Sequence, residues 1–189
     1  FAMQASAGYC NDLAYWAMQS TGLIALQNMQ KIENKIDQED ALEAFCHSLA
    51  ALYQKLTQQG PKSHLCIGEK AWENSFQKSI DATWSKSRLD ASGSVFAIKP
   101  QAIAQKQMWI ANTQVHYCAK SYSTVPMSHS DLPALLVLAK VLSNGYLHTA
   151  VREKGGSYGG GAVTHLDSGI FSFYSYRDPR IEGTLADFD

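Results

Sequence analysis

The feature that most constrains this chain is a long apolar helix that runs straight into a glycine-rich loop, within residues 131–161. Its apolar residues recur at three- and four-residue steps, which predicts one face packed on a core: Leu132, Leu135, Leu136, Ala139, Leu142, Tyr146, Leu147 and Ala150. Pro133 fits the first helical turn, and Gly155 and Gly156 suit the left-handed conformation that ends a helix. The glycine cluster at 155–161 is useful where another chain must come close to the backbone.

The remaining sequence predicts an α+β fold, in which helices pack on one face of a mainly antiparallel sheet. Helical periodicity marks three earlier segments, at residues 9–34 with a break near 20–22, 38–58 and 70–86. Alternation or short apolar runs predict strands at residues 63–68, 108–120, 161–166 and 170–177. Asp167, Ser168 and Gly169 suit the turn of a hairpin between the last two strands, and Asp178 with Pro179 opens a further helix.

The most polar join in the chain, at residues 87–94, is the predicted domain boundary. It divides a mostly helical part, residues 1–87, from a part with strands, residues 94–189. Because the sequence lacks an initiator methionine and its last predicted helix is short, we expect a fragment of a longer protein.

Composition excludes several classes of function. A net charge of −1 without a basic block gives no support to binding of nucleic acid or an anionic membrane. The hydrophobic content of 46% is enough for a sizeable core, and no continuous apolar run reaches a membrane span of about 18 to 20 residues. The start of the chain does not read as an export signal, so an intracellular location is expected.

The four cysteines are far apart and form no C-x-x-C pair: Cys10, Cys46, Cys66 and Cys118. This spacing argues against a zinc knuckle or a redox motif and favours buried free thiols. Two disulfides are the alternative, but an intracellular setting favours the free thiols.

A family resemblance rests on two runs of sequence. Residues 145–161, GYLHTAVREKGGSYGGG, and residues 175–180, SYRDPR, together resemble the C-terminal half of the pitrilysin/insulinase zinc metallopeptidases, in their presequence protease branch. The similarity is strong over about residues 137–182 and weaker near residues 22–30 and 63–69. Ser157 stands where the family would have alanine, a change of one small residue for another.

The resemblance implies LuxS/pitrilysin-like α/β units, with the end of one unit in residues 1–87 and the truncated first part of the next in residues 94–189. It also implies a zinc-dependent peptidase that encloses peptides in a chamber between two halves. Arg152 and Tyr158 would face the zinc site of the other half as catalytic and substrate-binding residues, and the backbone at Gly155 and Gly156 would contact substrate. The expected location is the bacterial cytoplasm or an organelle matrix, and the expected partners are peptides and the catalytic half of the same protein.

The zinc itself is expected outside this chain. A catalytic zinc takes about three protein ligands, and the H-x-x-E-H arrangement is missing from the sequence. The six scattered histidines favour no ligand set, so we expect no metal ligand here and an inactive fragment. The glycine run also invites a phosphate-loop interpretation, but it lacks the Lys-Ser/Thr pair and follows a helix.

Arg152 and Tyr158 have ordinary interpretations as well. Taken singly, Arg152 is a solvated cation near a helix C-terminus and Tyr158 a half-buried sheet aromatic. In the resembling family, an oxyanion that forms at the substrate carbonyl needs preplaced donors, which a tyrosine hydroxyl and a guanidinium supply. A non-proteolytic homologue, such as a core subunit of a respiratory complex, is the alternative function, and a free-standing small-molecule enzyme has only the glycine run in its favour.

Overall fold

The computed structural model describes residues 1–59, 65–84 and 105–189. The chain divides into two compact units, one formed by residues 1–29 with 97–189 and the other by residues 30–96. The predicted boundary at residues 87–94 lies outside the described residues, and it stays a prediction. The α+β class is confirmed, because the described residues combine seven α-helices with a three-stranded antiparallel sheet.

Three helices open the chain: α1 (Ala2–Ala7), α2 (Asp12–Ser20) and α3 (Gly22–Ile36). Asn11 begins α2, because its side-chain oxygen accepts a hydrogen bond of 2.9 Å from the Ala14 N–H. Thr21 has an extended backbone and Gly22 a positive φ of 65°, so the helical path breaks between α2 and α3. The predicted interruption near residues 20–22 is therefore confirmed.

The second unit is helical in its described part. Helix α4 (Glu39–Gln54) continues into a π-helical turn, Lys55–Gln59, and a 3-10 turn, Lys70–Trp72, precedes α5 (Glu73–Trp84). The strand predicted at residues 63–68 is wrong for residues 65–68, which have no strand, while 63 and 64 lie outside the described residues. Helix α4 buries none of its residues, so its apolar stripe is exposed rather than packed: Leu42, Phe45, Leu49, Leu52 and Tyr53.

The sheet belongs to the first unit and has the order β1-β3-β2, all antiparallel. Its strands are β1 (Ala119–Ser123), β2 (Gly159–His165) and β3 (Ile170–Tyr176). The hairpin between β2 and β3 turns at Gly169, whose φ is 61°. Both predicted hairpin strands and their turn are confirmed.

The strand predicted at residues 108–120 is mostly wrong. Only its last two residues lie in β1, and an isolated bridge between His116 and Asp178 extends the pairing by a short step. A strand needs a partner, and the chain that follows β3 reaches Pro179, which has no N–H to donate to a ladder. Alternation at residues 108–115 therefore lacks a partner strand to pair with.

The long predicted helix is present and lies against the sheet. Helix α6 (Leu132–Asn144) leads into a π-helical turn, His148–Lys154. The Ser143 hydroxyl donates to the Ala139 carbonyl at 2.7 Å and accepts from the Ala162 N–H of β2 at 2.8 Å. Leu132, Ala139 and Leu147 of the predicted stripe are buried, whereas its members Leu136 and Tyr146 are exposed. Val151, which the stripe did not include, is fully buried.

The outer side of the same helix is also apolar. Val137, Val141 and Tyr146 are more than half exposed. Residues Leu132–Lys154 form one helical stretch of 23 residues that is long and apolar enough to cross a membrane, by length and composition alone. The helix therefore reaches the length of a membrane span, although its sequence holds no continuous apolar run of that length. The absence of a membrane partner stays a prediction.

Two clusters of buried side chains lie on the sheet. Ile170 packs with Ala7, Cys10 and Ala14 of the first two helices and their connection, whereas Phe173 packs against the cluster of Cys118, Leu147, Val151 and Phe188. Since Ile170 and Phe173 are three residues apart in a strand, their side chains point to opposite faces. Helical residues therefore pack on both faces of the sheet, and not on one face as predicted. The last helix, α7 (Glu182–Asp187), ends beside Phe188, whose ring stacks on Phe173.

All four cysteines are free, which confirms the predicted thiol state, but only Cys10 and Cys118 are buried, while Cys46 and Cys66 are exposed. Burial raises the pKa of the Cys10 and Cys118 thiols above its ordinary value. A raised pKa lowers the thiolate fraction, and the thiolate is the reactive form.

We therefore expect iodoacetamide to alkylate Cys46 and Cys66 in the native chain at pH 7.5, and to reach Cys10 and Cys118 only after denaturation. Peptide mapping by mass spectrometry at successive times measures the order. Equal rates at all four positions under native conditions would contradict the packing described here.

Candidate functional site

The candidate site begins where the long helix ends. Val151 is fully buried, while the next residue, Arg152, is exposed within the π-helical turn. In the described part of the chain, no hydrogen bond or ion pair of the Arg152 guanidinium is found, so its five N–H groups face solvent. The neighbouring charged groups His148 and Glu153 lie 3.4 Å apart and form a separate pair when the imidazole is protonated.

Gly156 ends the helix. Its φ of 80° is the left-handed conformation that suits glycine, and its N–H donates to the Arg152 carbonyl at 3.0 Å. The following N–H, of Ser157, donates to the Val151 carbonyl at 3.2 Å. These bonds hold the loop against the helix end, so the chain reaches Tyr158 after a short, well-defined turn.

Gly155 has a packing role that the sequence did not indicate. A Cβ atom at this position would overlap Arg180 Nη2 and the Val151 carbonyl oxygen, so the missing side chain makes room for the Arg180 guanidinium. Arg180 Nη2 donates to Asp187 Oδ2 at 2.7 Å and to the Ala150 carbonyl at 3.4 Å. Gly155 is itself buried, and contact of its backbone with substrate stays a prediction.

Two further glycines allow the helix to lie close to β2. A Cβ atom on Gly160 would stand 2.9 Å from Val151 Cγ1, and one on Gly161 would stand 2.8 Å from Ser143 Oγ. Real Cβ atoms do not approach other atoms so closely. By contrast, a Cβ atom on Gly159 would meet nothing within 4 Å, so Gly159 is the open position in this run.

Tyr158 stands immediately before β2, as predicted for a residue at the start of a strand. Its N–H donates to the Arg177 carbonyl at 3.3 Å, and its side chain is 68% exposed. The ring contacts Tyr176 edge to face, with centroids 5.9 Å apart, and the Arg177 guanidinium carbon lies 5.8 Å from the Tyr158 ring centroid. Tyr158 is therefore a surface residue whose ring is contacted by the Tyr176 ring and the Arg177 guanidinium.

The motif at residues 175–180 supplies a buried anchor beside this surface. Asp178 is fully buried, and its carboxylate accepts hydrogen bonds from the Arg180 N–H at 2.9 Å and from the Thr184 hydroxyl at 2.8 Å. Its backbone exchanges hydrogen bonds of 2.8 and 2.9 Å with His116. Sequence analysis missed this network. The available signal was the Asp-Pro pair, because an aspartate in a turn often accepts a hydrogen bond from the backbone N–H two residues further on.

The described histidines do not gather into a metal site. His116 bridges to Asp178 through its backbone, His129 lies 3.8 Å from Asp131, and His148 pairs with Glu153. Burial lowers the pKa of His165, whose Nε2 is buried without a hydrogen-bond partner in the described residues. Within the residues that the structure describes, no three His, Cys, Asp or Glu side chains stand together to hold a metal ion, and His64 lies outside them.

Comparison with known proteins addresses the family. Residues 106–189, which include Arg152, Tyr158 and the anchor at Asp178, match the family model of the PreP C-terminal domain. The resemblance to the presequence proteases is confirmed for this part of the chain. The match includes every residue of the candidate site.

Individual relatives carry the same name, "Presequence protease, mitochondrial". The protein of Drosophila melanogaster is 42% identical over 116 residues, which are 61% of this chain and 11% of that protein. The protein of Saccharomyces cerevisiae is 51% identical over 75 residues, or 40% of this chain and 8% of its own length. That of Mus musculus is 49% identical over 75 residues, or 39% and 7%. The matched region thus spans about a tenth or less of each of these relatives.

The packing at Gly155 generates a prediction with an internal control. Gly155→Ala should lower the free energy of unfolding by about 2 kcal/mol, because the new methyl group overlaps a backbone oxygen that has no room to move. Gly159→Ala adds the same methyl group into open space and should change the stability by much less. Urea denaturation followed by circular dichroism measures both variants. Equal losses in the two would show that Gly155 is not closely packed.

Proposed function

We propose that this chain is part of the substrate-binding, non-catalytic half of a zinc-dependent peptidase that degrades peptides in an enclosed chamber. The observation that carries the proposal is that Arg152, at the end of the long helix, and Tyr158, directly before β2, are both exposed on either side of a short glycine turn, in a segment similar to the PreP C-terminal domain. Names of the relatives support a protease, and their description as mitochondrial supports an organelle matrix over the bacterial cytoplasm.

Arg152 and Tyr158 have the chemistry that the role requires. Arg152 offers N–H donors that no partner in the described chain occupies, so it suits the anchoring of substrate carbonyl or carboxylate groups. The Tyr158 hydroxyl is a hydrogen-bond donor and suits a carbonyl oxygen that gains negative charge during attack. Both roles require the other half of the protein to bring the reacting bond to this surface.

The described residues do not fit a zinc ion, because no three His, Cys, Asp or Glu side chains among them stand together. In the proposed arrangement zinc is bound by the catalytic half, and this chain contributes donors to the substrate alone. A non-proteolytic structural homologue of the same fold is the alternative. The Arg152 guanidinium and the Tyr158 hydroxyl, which have no hydrogen-bond partner among the described residues, favour the peptidase.

A first prediction concerns the chain by itself. Purified residues 1–189 should neither hold zinc stoichiometrically nor cleave peptides, because the described residues offer no ligand cluster. Plasma emission spectrometry and a fluorogenic peptide assay measure the two properties. One tightly bound zinc per chain together with peptide cleavage would overturn the assignment to a non-catalytic half.

A second prediction concerns Tyr158 in the full-length peptidase. Tyr158→Phe removes one donor and almost no volume, so kcat should fall about a hundredfold, the typical loss for an oxyanion donor. Tyr146→Phe is the matched control, because it removes another exposed tyrosine hydroxyl from the helix before the site and should leave kcat unchanged. Parental turnover in the Tyr158→Phe enzyme would refute the transition-state role.

Arg152 is tested in the same assay. Arg152→Ala should raise KM as well as lower kcat, because substrate anchoring is lost with the guanidinium. Lys154→Ala removes another exposed cation from the same turn and controls for a general effect of charge. If both variants change KM by the same factor, the effect is one of charge and not of anchoring by Arg152.

A further inference from the structure

Arg177 is the one described residue other than glycine that has a positive φ, at 50°. Its side chain is exposed, and it follows the last residue of β3. A left-handed conformation is costly for an arginine and free of that cost for a glycine. An arginine therefore occupies a position at which the backbone conformation by itself would favour a glycine.

Three polar residues of the motif at 175–180 form hydrogen bonds that hold the fold together, and Arg177 takes no part in these bonds. The Ser175 hydroxyl accepts from the Cys118 N–H at 3.3 Å, and Asp178 and Arg180 form the buried network already described. In contrast, the guanidinium of Arg177 makes no ion pair or side-chain hydrogen bond within the described parts of the chain. What it does contact is a pair of aromatic rings.

The Arg177 guanidinium carbon lies 5.8 Å from the Tyr158 ring centroid and 5.5 Å from the Tyr176 ring centroid. These distances are within the range of a cation–π interaction, about 6 Å. The same two rings contact each other edge to face, and Tyr176 also contacts Tyr117 with centroids 5.5 Å apart. One cation and three tyrosines thus form a continuous surface group, in which Tyr158 is the outermost ring at 68% exposure.

Among the described residues, the contacts with Tyr176 and Arg177 are what restricts the orientation of the Tyr158 side chain. Its hydroxyl has no hydrogen-bond partner among the described residues, and its ring is mostly surrounded by solvent. A donor that acts on a developing charge must be held in place before the reaction, because a mobile side chain loses that advantage. Tyr176 supports one side of the ring, and the cation of Arg177 bridges the two rings.

We propose that Arg177 is a positioning residue for Tyr158, which it holds through paired cation–π contacts with Tyr158 and Tyr176. This proposal rests on the proposed function, since the only role that it gives Arg177 is to position the Tyr158 hydroxyl. It explains why an arginine occupies a left-handed position in which glycine would be favoured.

Arg177→Gly in the full-length peptidase separates the side chain from the backbone. Glycine relieves the left-handed strain, so the melting temperature should stay the same or rise. Removal of the cation should nevertheless lower kcat by roughly fivefold with little change in KM, since two exposed cation–π contacts are lost. Arg177→Lys keeps both the strain and the charge, and it should retain most of the parental rate.

A double-mutant cycle with Tyr158→Phe decides whether Arg177 acts through the hydroxyl. In the Tyr158→Phe background, Arg177→Gly should have almost no further effect on kcat, because no donor is left to position. An equal effect of Arg177→Gly in both backgrounds, or none in the parental enzyme, would overturn the proposal for Arg177 and leave the role of Tyr158 intact. A parental rate in Tyr158→Phe alone would refute the proposed function instead.

Discussion

The close approach of the long helix to the glycine-rich strand is the constraint on which the site depends. Val151 stands against Gly160 and Ser143 against Gly161, at separations where a Cβ atom would find no room. This packing brings the end of the helix beside the start of β2, and only residues 155–158 lie between them. Arg152 and Tyr158 are thus presented by rigid elements, and their relative position does not depend on a long flexible loop.

A second constraint is the buried carboxylate of Asp178. It satisfies the Arg180 N–H and the Thr184 hydroxyl, while its own backbone pairs with His116. Arg180 then reaches across to the helix end and fills the space beside Gly155. Because this network occupies the inner side of the motif, Tyr176 and Arg177 are left on the surface beside Tyr158, where they take part in the proposed site.

The roles of the glycines at residues 155–161 were predicted only in part from the sequence. All five of its glycines suggested a backbone open to a substrate, but the structure distributes them among different tasks. Gly156 provides the left-handed turn, whereas Gly155, Gly160 and Gly161 allow close packing, and Gly159 alone faces open space. At Gly155, Gly160 and Gly161 the closely packed atoms belong to this chain itself, and the approach of a substrate to the glycine backbone stays a prediction.

Sequence by itself determined what depends on neighbours along the chain. Periodicity located α6 and its π-helical continuation, and a turn triplet ending at Gly169 located the hairpin, because both signals are local. Tertiary structure alone decided the pairings between distant residues: it left residues 108–115 without a partner strand, set Arg180 against Gly155, and placed Arg177 over the ring of Tyr158. These contacts join elements whose separation in space is set by packing, and no spacing in the sequence encodes that distance.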